Sequence, residues 1–362
     1  VLDHTVLDES KNNYIMSIFG GKNGYGLSVC DVSTGEFQTT EFPTILAASR
    51  ILDEVARFSP AEVVCNEAFL EHPVAKDLKE RFRIAFSDVD NRMFAYATAK
   101  DTLEHHFHVS SLDGFGLAKK EIAVSAAGGL LWYLLETQKN DLEHISVLKY
   151  YTIGDFMPLD VASRRNLELT ETMREKNKKG SLLSVLDETK TAMGARTLRK
   201  WVEQPLLSAA EICKRLDAVE ELKNDLFLRE EIKDILRTMF DFERIMGRVV
   251  YQTANARELS MLKNSIENLP LLKRTLGRCK SGYLQEIYEK LDPLENIHDL
   301  INQAIVEDPP FSVREGGMIK PGYSDELDTY TKAKTEGKAW IEQMEEEERE
   351  KTGIKNLKIR FN

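Results

Sequence analysis

Two carboxylates, Asp31 and Glu67, follow short runs rich in β-branched and aromatic residues, "GYGLSVCD" and "AEVVCN". If those runs are neighbouring strands, the acids can sit near one sheet end. There they could hold two Mg²⁺ ions about 4 Å apart, the requirement of a two-metal nuclease. The first such run, residues 14–20, carries no carboxylate where the central ligand would be needed. Asp31 also has a simpler role as the turn-former ahead of Ser33-Thr34-Gly35. A second cluster is "EHHFHV", with His105, His106 and His108. On a helix His105 and His108 share a face, and two imidazoles at that spacing could begin a metal site. No second His or Cys cluster completes it, so an exposed polar segment ahead of Asp113-Gly114 is the competing reading.

Other chemistries lack their parts. Gly21-Lys22 is not G-x-x-x-x-G-K-[ST], and Gly24-Tyr-Gly26 and Gly114-Phe-Gly116 lack the third glycine of a dinucleotide loop. There is no G-x-S-x-G. Cys30, Cys65, Cys213 and Cys279 are scattered, which suits a reducing cytosol better than a disulfide framework or a zinc site. The basic run Arg174-Glu-Lys176-Asn-Lys178-Lys179 reads as a solvated linker more readily than as a nucleic-acid patch. With 362 residues and a net charge of −11, the chain has room for two or three domains and no bulk attraction for nucleic acid. No apolar run approaches the ~20 residues of a membrane span, and the first residues have no signal-peptide pattern.

The elements that must position these residues fall into two halves. "NYIMSIFG", "GYGLSVCD" and "EFQTTEF" read as three antiparallel strands separated by turn-forming residues. Thr44 is expected to cap a helix running to about Phe58, with Leu52, Val55 and Ala56 facing a core. "AEVVCN" is a buried strand and "VAKDLKERF" a short helix. The long apolar helix "LAKKEIAVSAAGGLLWYLLETQK" contains Gly128-Gly129, which permits close packing, and "HISVLKYYTI" is a last strand. Three antiparallel strands, a helix, a strand, then helices and a strand is the order of a ribonuclease-H-like α/β domain.

After Asp155 the pattern becomes helical. Ser181 and Thr191 are candidate N-caps, Pro205 stops a helix carrying Leu198, Trp201 and Val202, and Ser208 to Glu211 form a capping box. Ile212, Leu216, Val219 and Leu222 then make an apolar stripe, and Ile232, Ile235, Leu236 and Met239 another. "VEDPPFSVREGGMIKPGYS" is an ordered loop or short hairpin. Ser324 caps a long acidic helix with Leu327, Tyr330, Ala333, Trp340, Ile341 and Met344 on one stripe, ended by Gly353. Roughly 29 residues at 1.5 Å each give a rod of about 43 Å. Leu357, Ile359 and Phe361 alternate with Lys358, Arg360 and Asn362, as in a half-buried strand.

The helical half carries a family resemblance. Arg164-Arg165-Asn166-Leu167-Glu168, Gly180-Ser181-Leu182, Leu186-Asp187, Met193-Gly194-Ala195-Arg196 and Pro205-Leu206, within residues 159–206, closely resemble the opening of the core domain in the MutS family of bacterial mismatch-recognition proteins. "DFERIMGRV" and "VREGGMIKPGYSDELD" resemble two further blocks of that family, in its order and at compatible spacing. The first half then resembles the family's connector domain.

The resemblance implies residues 1–152 as the connector, 153–353 as an all-α core/lever domain and 354–362 as the first strand of a DNA clamp. The chain is then expected to be a piece of a longer protein, without the mismatch-reading domain and without the P-loop ATPase. It implies a role in coupling mismatch binding to that ATPase, with no chemistry and no cofactor of the chain's own; ATP and Mg²⁺ belong to the parent. The implied partners are mismatched duplex DNA, through other domains, and MutL, with His105 and His106 as the candidate MutL contact. The parent is expected to be a homodimer in the bacterial cytoplasm and the piece a monomer. Arg164 and Arg165 are candidates to pair with acids across the connector–core boundary, Trp201 is expected to pack in a core helix, and Gly316 and Gly317 are expected to act as loop hinges. A stand-alone mismatch-repair adaptor and a metal nuclease at Asp31 and Glu67 are the alternatives.

Overall fold

The computed structural model describes residues 8–82, 84–138, 142–354 and 358. The strand expected over Leu357, Ile359 and Phe361 lies outside the described residues. The chain forms two compact units: one runs to Ala254 and takes in Asn264–Leu294, and the other comprises Asn255–Lys263 and the chain from Glu295 onward.

The first unit begins with β1 (Ile15–Gly20), β2 (Gly24–Asp31) and β3 (Glu36–Pro43), paired antiparallel. Helix α1 (Ala47–Phe58) leads to β4 (Glu62–Cys65), parallel to β1. Two short helices, α2 (Glu67–Leu70) and α3 (Pro73–Asp77), precede β5 (Ala85–Asp88), parallel to β4. Helices α4 (Tyr96–His106) and α5 (Glu121–Gln138) and strand β6 (Leu148–Tyr150), parallel to β3, complete it. The strand order is β5-β4-β1-β2-β3-β6.

Period-2 alternation gives this sheet two apolar faces. Met16, Ile18, Leu27 and Val29 pack with Ile51, Val55 and Phe58 of α1 on one side. Cys30, Phe37 and Val64 pack with Leu103 of α4 and Leu130, Leu131 and Leu134 of α5 on the other. Close approach is built in with small residues. A Cβ on Gly128 would lie 2.4 Å from the Ala99 Cα, so the expected role of this glycine in helix packing holds. Ser17 Oγ donates to the Ala126 carbonyl at 2.6 Å, fixing α5 on the sheet.

Two local expectations fail. Thr44 opens a short 3₁₀ turn, and α1 begins at Ala47 with no side-chain cap. Strand β5 has no counterpart in the sequence reading, because its four residues are too few to show an alternation.

The helical part of this unit contains α6 (Val161–Asn166), α7 (Leu182–Leu186), α8 (Ala192–Glu203), α9 (Ala209–Asn224), α10 (Leu226–Arg237) and α11 (Phe242–Val250). After α12 (Ala256–Glu267) come α13 (Leu269–Leu276) and α14 (Gly282–Lys290). Ser181, Thr191 and Ser208 accept hydrogen bonds from the backbone N–H three residues on, as N-caps do. Ala218, Leu228, Leu276, Cys279 and Leu284 join α9, α10, α13 and α14 in one apolar cluster. The stripe expected to bury α9 does so only in part, with Leu222 packed against this cluster. Leu216 and Val219 are 58% and 60% exposed, and Ala218 is the residue turned inward.

In the second unit, α15 (Glu295–Ala304) is followed by an isolated bridge between Ile305 and Ile319. Arg257 Nε donates to the Pro309 carbonyl at 2.9 Å. Ser312 and Glu315 form a reciprocal capping box. The last helix, α16 (Asp325–Thr352), has 28 residues, about 42 Å at 1.5 Å each. Ser324 caps it and Gly353 ends it at φ 69°. Acids crowd its first turn and bases its last, the polarity the helix dipole favours. Among the described residues, no helix is long and apolar enough to cross a membrane.

Candidate functional site

Sheet register disposes of the paired-carboxylate site. Cys30 faces Ile15, so Asp31 lies beyond the N-terminal end of β1, whereas Cys65 faces Ile18 and Glu67 lies level with its C-terminal end. About six residues of strand separate them, or roughly 20 Å. A two-metal centre needs its ligands together, and these two acids sit at opposite ends of the sheet. Asp31 is buried and fully occupied as a turn-former: Oδ1 accepts from the Ser33 N–H at 2.9 Å and Ser33 Oγ at 2.7 Å, and Oδ2 accepts from Asn12 Nδ2 at 2.8 Å. Glu67 is exposed and bonds to Asn91.

The histidine cluster divides. Helix α4 stops at His106 and His108 has left-handed backbone at φ 53°, so the pair does not continue one helical face, although the His105 and His108 rings still meet edge-on with centroids 6.5 Å apart. Among the described residues, no group of three or more His, Cys, Asp or Glu is placed to hold a metal ion. His105 is exposed. His106 departs from the expected exposed contact: it is half-buried, its Nε2 lies 2.9 Å from the Ile145 carbonyl, and its ring packs edge-on against Phe107. Burial lowers its pKa below the usual imidazole value.

The densest polar contacts lie where the helical part meets the chain entering the sheet. Arg196, on α8, is only 4% exposed. It donates two bonds to the Asp241 carboxylate, at 2.6 and 2.8 Å, one to Glu243 at 2.5 Å and one to the Glu9 carbonyl at 3.0 Å. Burial works against its charge, but the hydrogen bonds and charges of Asp241 and Glu243 outweigh it and hold the guanidinium ionised. Arg244, on α11, donates to the carbonyls of Asp8 at 3.0 Å and Lys11 at 2.8 Å. Two arginines of the helical part thus clasp residues 8–11 just before β1.

A second link is the ion pair of Lys200 with Glu36 at the start of β3. The Tyr14 hydroxyl donates to the same carboxylate at 2.7 Å. Burial would raise the Glu36 pKa, yet Lys200, Tyr14 and Gln38 together bring it below the usual carboxylate value. A third contact is close packing. His144 Nε2 lies 2.7 Å from the Val32 carbonyl, and its ring meets the Tyr251 ring edge-on at 5.2 Å. A Cβ on Gly247 would come within 3.1 Å of the Ser33 carbonyl, so α11 runs close to the β2–β3 turn. His144 Nδ1 is buried without a hydrogen-bond partner, and burial lowers this histidine's pKa as well.

The residues singled out in the sequence play other parts. Arg164 Nε donates to the Leu159 carbonyl at 3.1 Å, and Arg165 is exposed; neither makes an ion pair among the described residues. Trp201 is 37% exposed, with the Arg215 guanidinium 3.7 Å above its ring, so it is a covered surface residue and not a core one. Gly316 and Gly317 both have left-handed φ, 72° and 74°, in the loop before α16. What the sequence reading passed over is the face of α8 bearing Arg196, Arg199, Lys200 and Glu203. Their spacing of three, one and three marks a single helical face. Taking Leu198, Trp201 and Val202 as the buried side concealed it.

This arrangement can tie one domain to another through its entering strand, and it lacks the constellation for bond-making chemistry among the described residues. The comparisons agree with that division. Residues 13–146 match the family model described as MutS domain II, and residues 162–360 match MutS domain III. Relatives named DNA mismatch repair protein MutS align with all of the chain: 45% identity for that of Lachnoclostridium phytofermentans, of which 38% is covered, and 45% for that of Ruminiclostridium cellulolyticum, of which 41% is covered. The protein of the same name from Alkaliphilus metalliredigens is 42% identical, with 41% covered. The chain spans about two fifths of the length of these curated relatives. With one domain model covering more than half of it and a second matching the sheet, the chain belongs to the MutS family of DNA mismatch repair proteins.

Proposed function

We propose that this chain is the connector and lever part of a mismatch-recognition protein, coupling mismatch binding in one part of the parent to ATP turnover in another, with no chemistry of its own. The observation that carries this reading is the clasp of Arg196 and Arg244 on residues 8–11. A displacement of that segment must move α8 and α11 or break three hydrogen bonds, so force on one side has a stiff route to the other. The connector is read as ribonuclease-H-like over residues 1–152, the core/lever as residues 153–353 and the clamp strand as 354–362. Support for the connector fold is the order of its sheet, three antiparallel strands extended by two parallel ones on the β1 side. In the core/lever part, α16 acts as the rod and Gly316-Gly317 as the hinge ahead of it.

The parent would bind mismatched duplex DNA and ATP with Mg²⁺ through other domains, act as a homodimer in the bacterial cytoplasm, and recruit MutL in part through the connector. His105 remains a candidate for that contact because it is exposed at the end of α4. His106 is a weaker one, since its ring is spent on Ile145. In a full-length protein containing this span, the double substitution Arg196→Gln, Arg244→Gln should lower mismatch-stimulated ATP turnover at least fivefold while mismatch affinity stays the same. Equal loss of both, or of neither, overturns the coupling role. His105→Glu should weaken MutL capture on mismatched DNA with ATP present; unchanged capture removes His105 from the interface.

A further inference from the structure

The first unit contains a cavity of about 1110 Å³ bounded by α1, α6, α8 and the loop that carries Lys176. Its charge is out of keeping with the chain. The protein has a net charge of −11, yet eight Lys and Arg line this cavity against two acids, Glu171 and Glu203. Half of those cations are accounted for. Arg57 pairs with Glu54 at 3.0 Å, Arg196 with Asp241 and Glu243, Arg199 with Glu203 at 3.5 Å, and Lys200 with Glu36.

The other four are Lys11, Arg164, Arg165 and Lys176, and none has a carboxylate within 4.0 Å among the described residues. Arg164 is half-buried and commits only its Nε, to the Leu159 carbonyl, which leaves the two Nη groups without a protein acceptor among the described residues. Arg57, at the cavity wall and 7% exposed, has an Nε with no partner. Arg164 is half-buried and Lys11, Arg165 and Lys176 stand at the rim, so unpaired positive charge of one sign lines a concave surface and raises the potential there. Two guanidinium forks on one cavity lining suit the oxygens of a phosphate, which such forks can grip with paired bonds. The remaining wall is mixed, with an apolar part at Leu52, Phe58 and Phe82 beside polar groups such as Asn12, Thr172 and Gln204. The volume is that of a small-molecule site and far below that of a duplex.

We propose that this cavity binds a small oligophosphate anion, gripped by Arg164, Arg165, Lys11 and Lys176. Free pyrophosphate and a nucleoside diphosphate share that chemistry and differ in whether the apolar wall is used. The site adjoins the clasp, since Arg196 lines the cavity and the Lys11 carbonyl accepts from Arg244, but the proposal does not rest on the coupling role, because other side chains would hold its ligand.

The test is calorimetric titration of this chain with sodium pyrophosphate, ADP and inorganic phosphate at low salt. Saturable one-site binding of pyrophosphate or ADP is expected, with inorganic phosphate weaker. Arg165→Gln with Lys176→Gln, both exposed positions, should weaken binding at least tenfold with the melting curve unchanged. Arg164→Gln should do the same by itself. Arg174→Gln with Lys179→Gln, outside the cavity, should leave affinity within twofold. ADP tighter than pyrophosphate assigns the apolar wall to the base; equal affinity assigns a free oligophosphate. No saturable heat with any of the three probes overturns the proposal, as does equal weakening by the control pair.

Discussion

The β-sheet with its clasp and the helix α16 are stabilised in opposite ways. In the sheet region, residues far apart in sequence share one interior: Met16, Leu27, Ile51 and Val63 are fully buried, and Arg196 reaches back to Glu9. Helix α16 is held by its neighbours along the chain. Ser324 caps it, Lys332 and Glu336 pair one turn apart at 3.8 Å, and Lys351 pairs with Glu348 at 3.1 Å. Its expected apolar stripe is largely uncovered, with Tyr330 at 65% and Trp340 at 59% exposure. A region that folds by remote packing suffers from any change in shape. A region that folds by local satisfaction responds mainly to propensity and capping.

The largest effect that could break this comparison is at Arg196. Arg196→Met removes a buried cation, takes from Asp241 its charged partner and leaves the Glu9 carbonyl without its donor, with an expected loss of about 3–5 kcal/mol in urea unfolding. A loss below 1 kcal/mol would mean that the clasp is decoration. Next is Gly128→Ala, which drives a methyl into the Ala99 backbone and should cost about 2 kcal/mol, seen as a lower melting temperature.

A smaller, pH-dependent loss belongs to the junction histidines. His106 and His144 have pKa values lowered by burial, so the unfolded chain takes up their protons first as pH falls below about 6.5. Stability is therefore full above that pH and declines toward pH 5. His144→Gln should flatten this decline in urea melts between pH 7.5 and 5.5, since protonated Nδ1 would have no acceptor. The smallest effect has the opposite sign. Gly337→Ala, within α16 and with nothing within 4 Å of the new methyl, should stabilise the helix by about 0.5–1 kcal/mol, measured by amide exchange.

The same difference explains what the sequence made legible. The strands β1 to β4 and the ends of α8 and α16 are encoded locally, in alternation, caps and a terminal glycine, and the structure has them where the pattern puts them. The burial of α8 and α9 is not local. On α8 the charged face turns inward because Asp241, Glu243 and Glu36, 45 to 164 residues away in sequence from the cations they pair with, supply its counter-charges, and no window of the sequence contains both halves. On α9 Leu216 and Val219 of a regular apolar stripe stay exposed while Ala218 packs with Leu222, a choice made by α10, α13 and α14. Asp31 and Glu67 looked like neighbours for a related reason: each follows a strand, but which end of the sheet it occupies depends on strand direction.

Strand order has one more consequence. The longest strands, β2 and β3 at eight residues each, lie inside the sheet, and its two borders are β5 with four residues and β6 with three. Open backbone N–H and C=O groups along a border are what recruit a foreign strand during self-association. Short borders leave few such groups, too few for a stable new ladder. The sheet thereby resists edge-to-edge aggregation with other copies while it is being made.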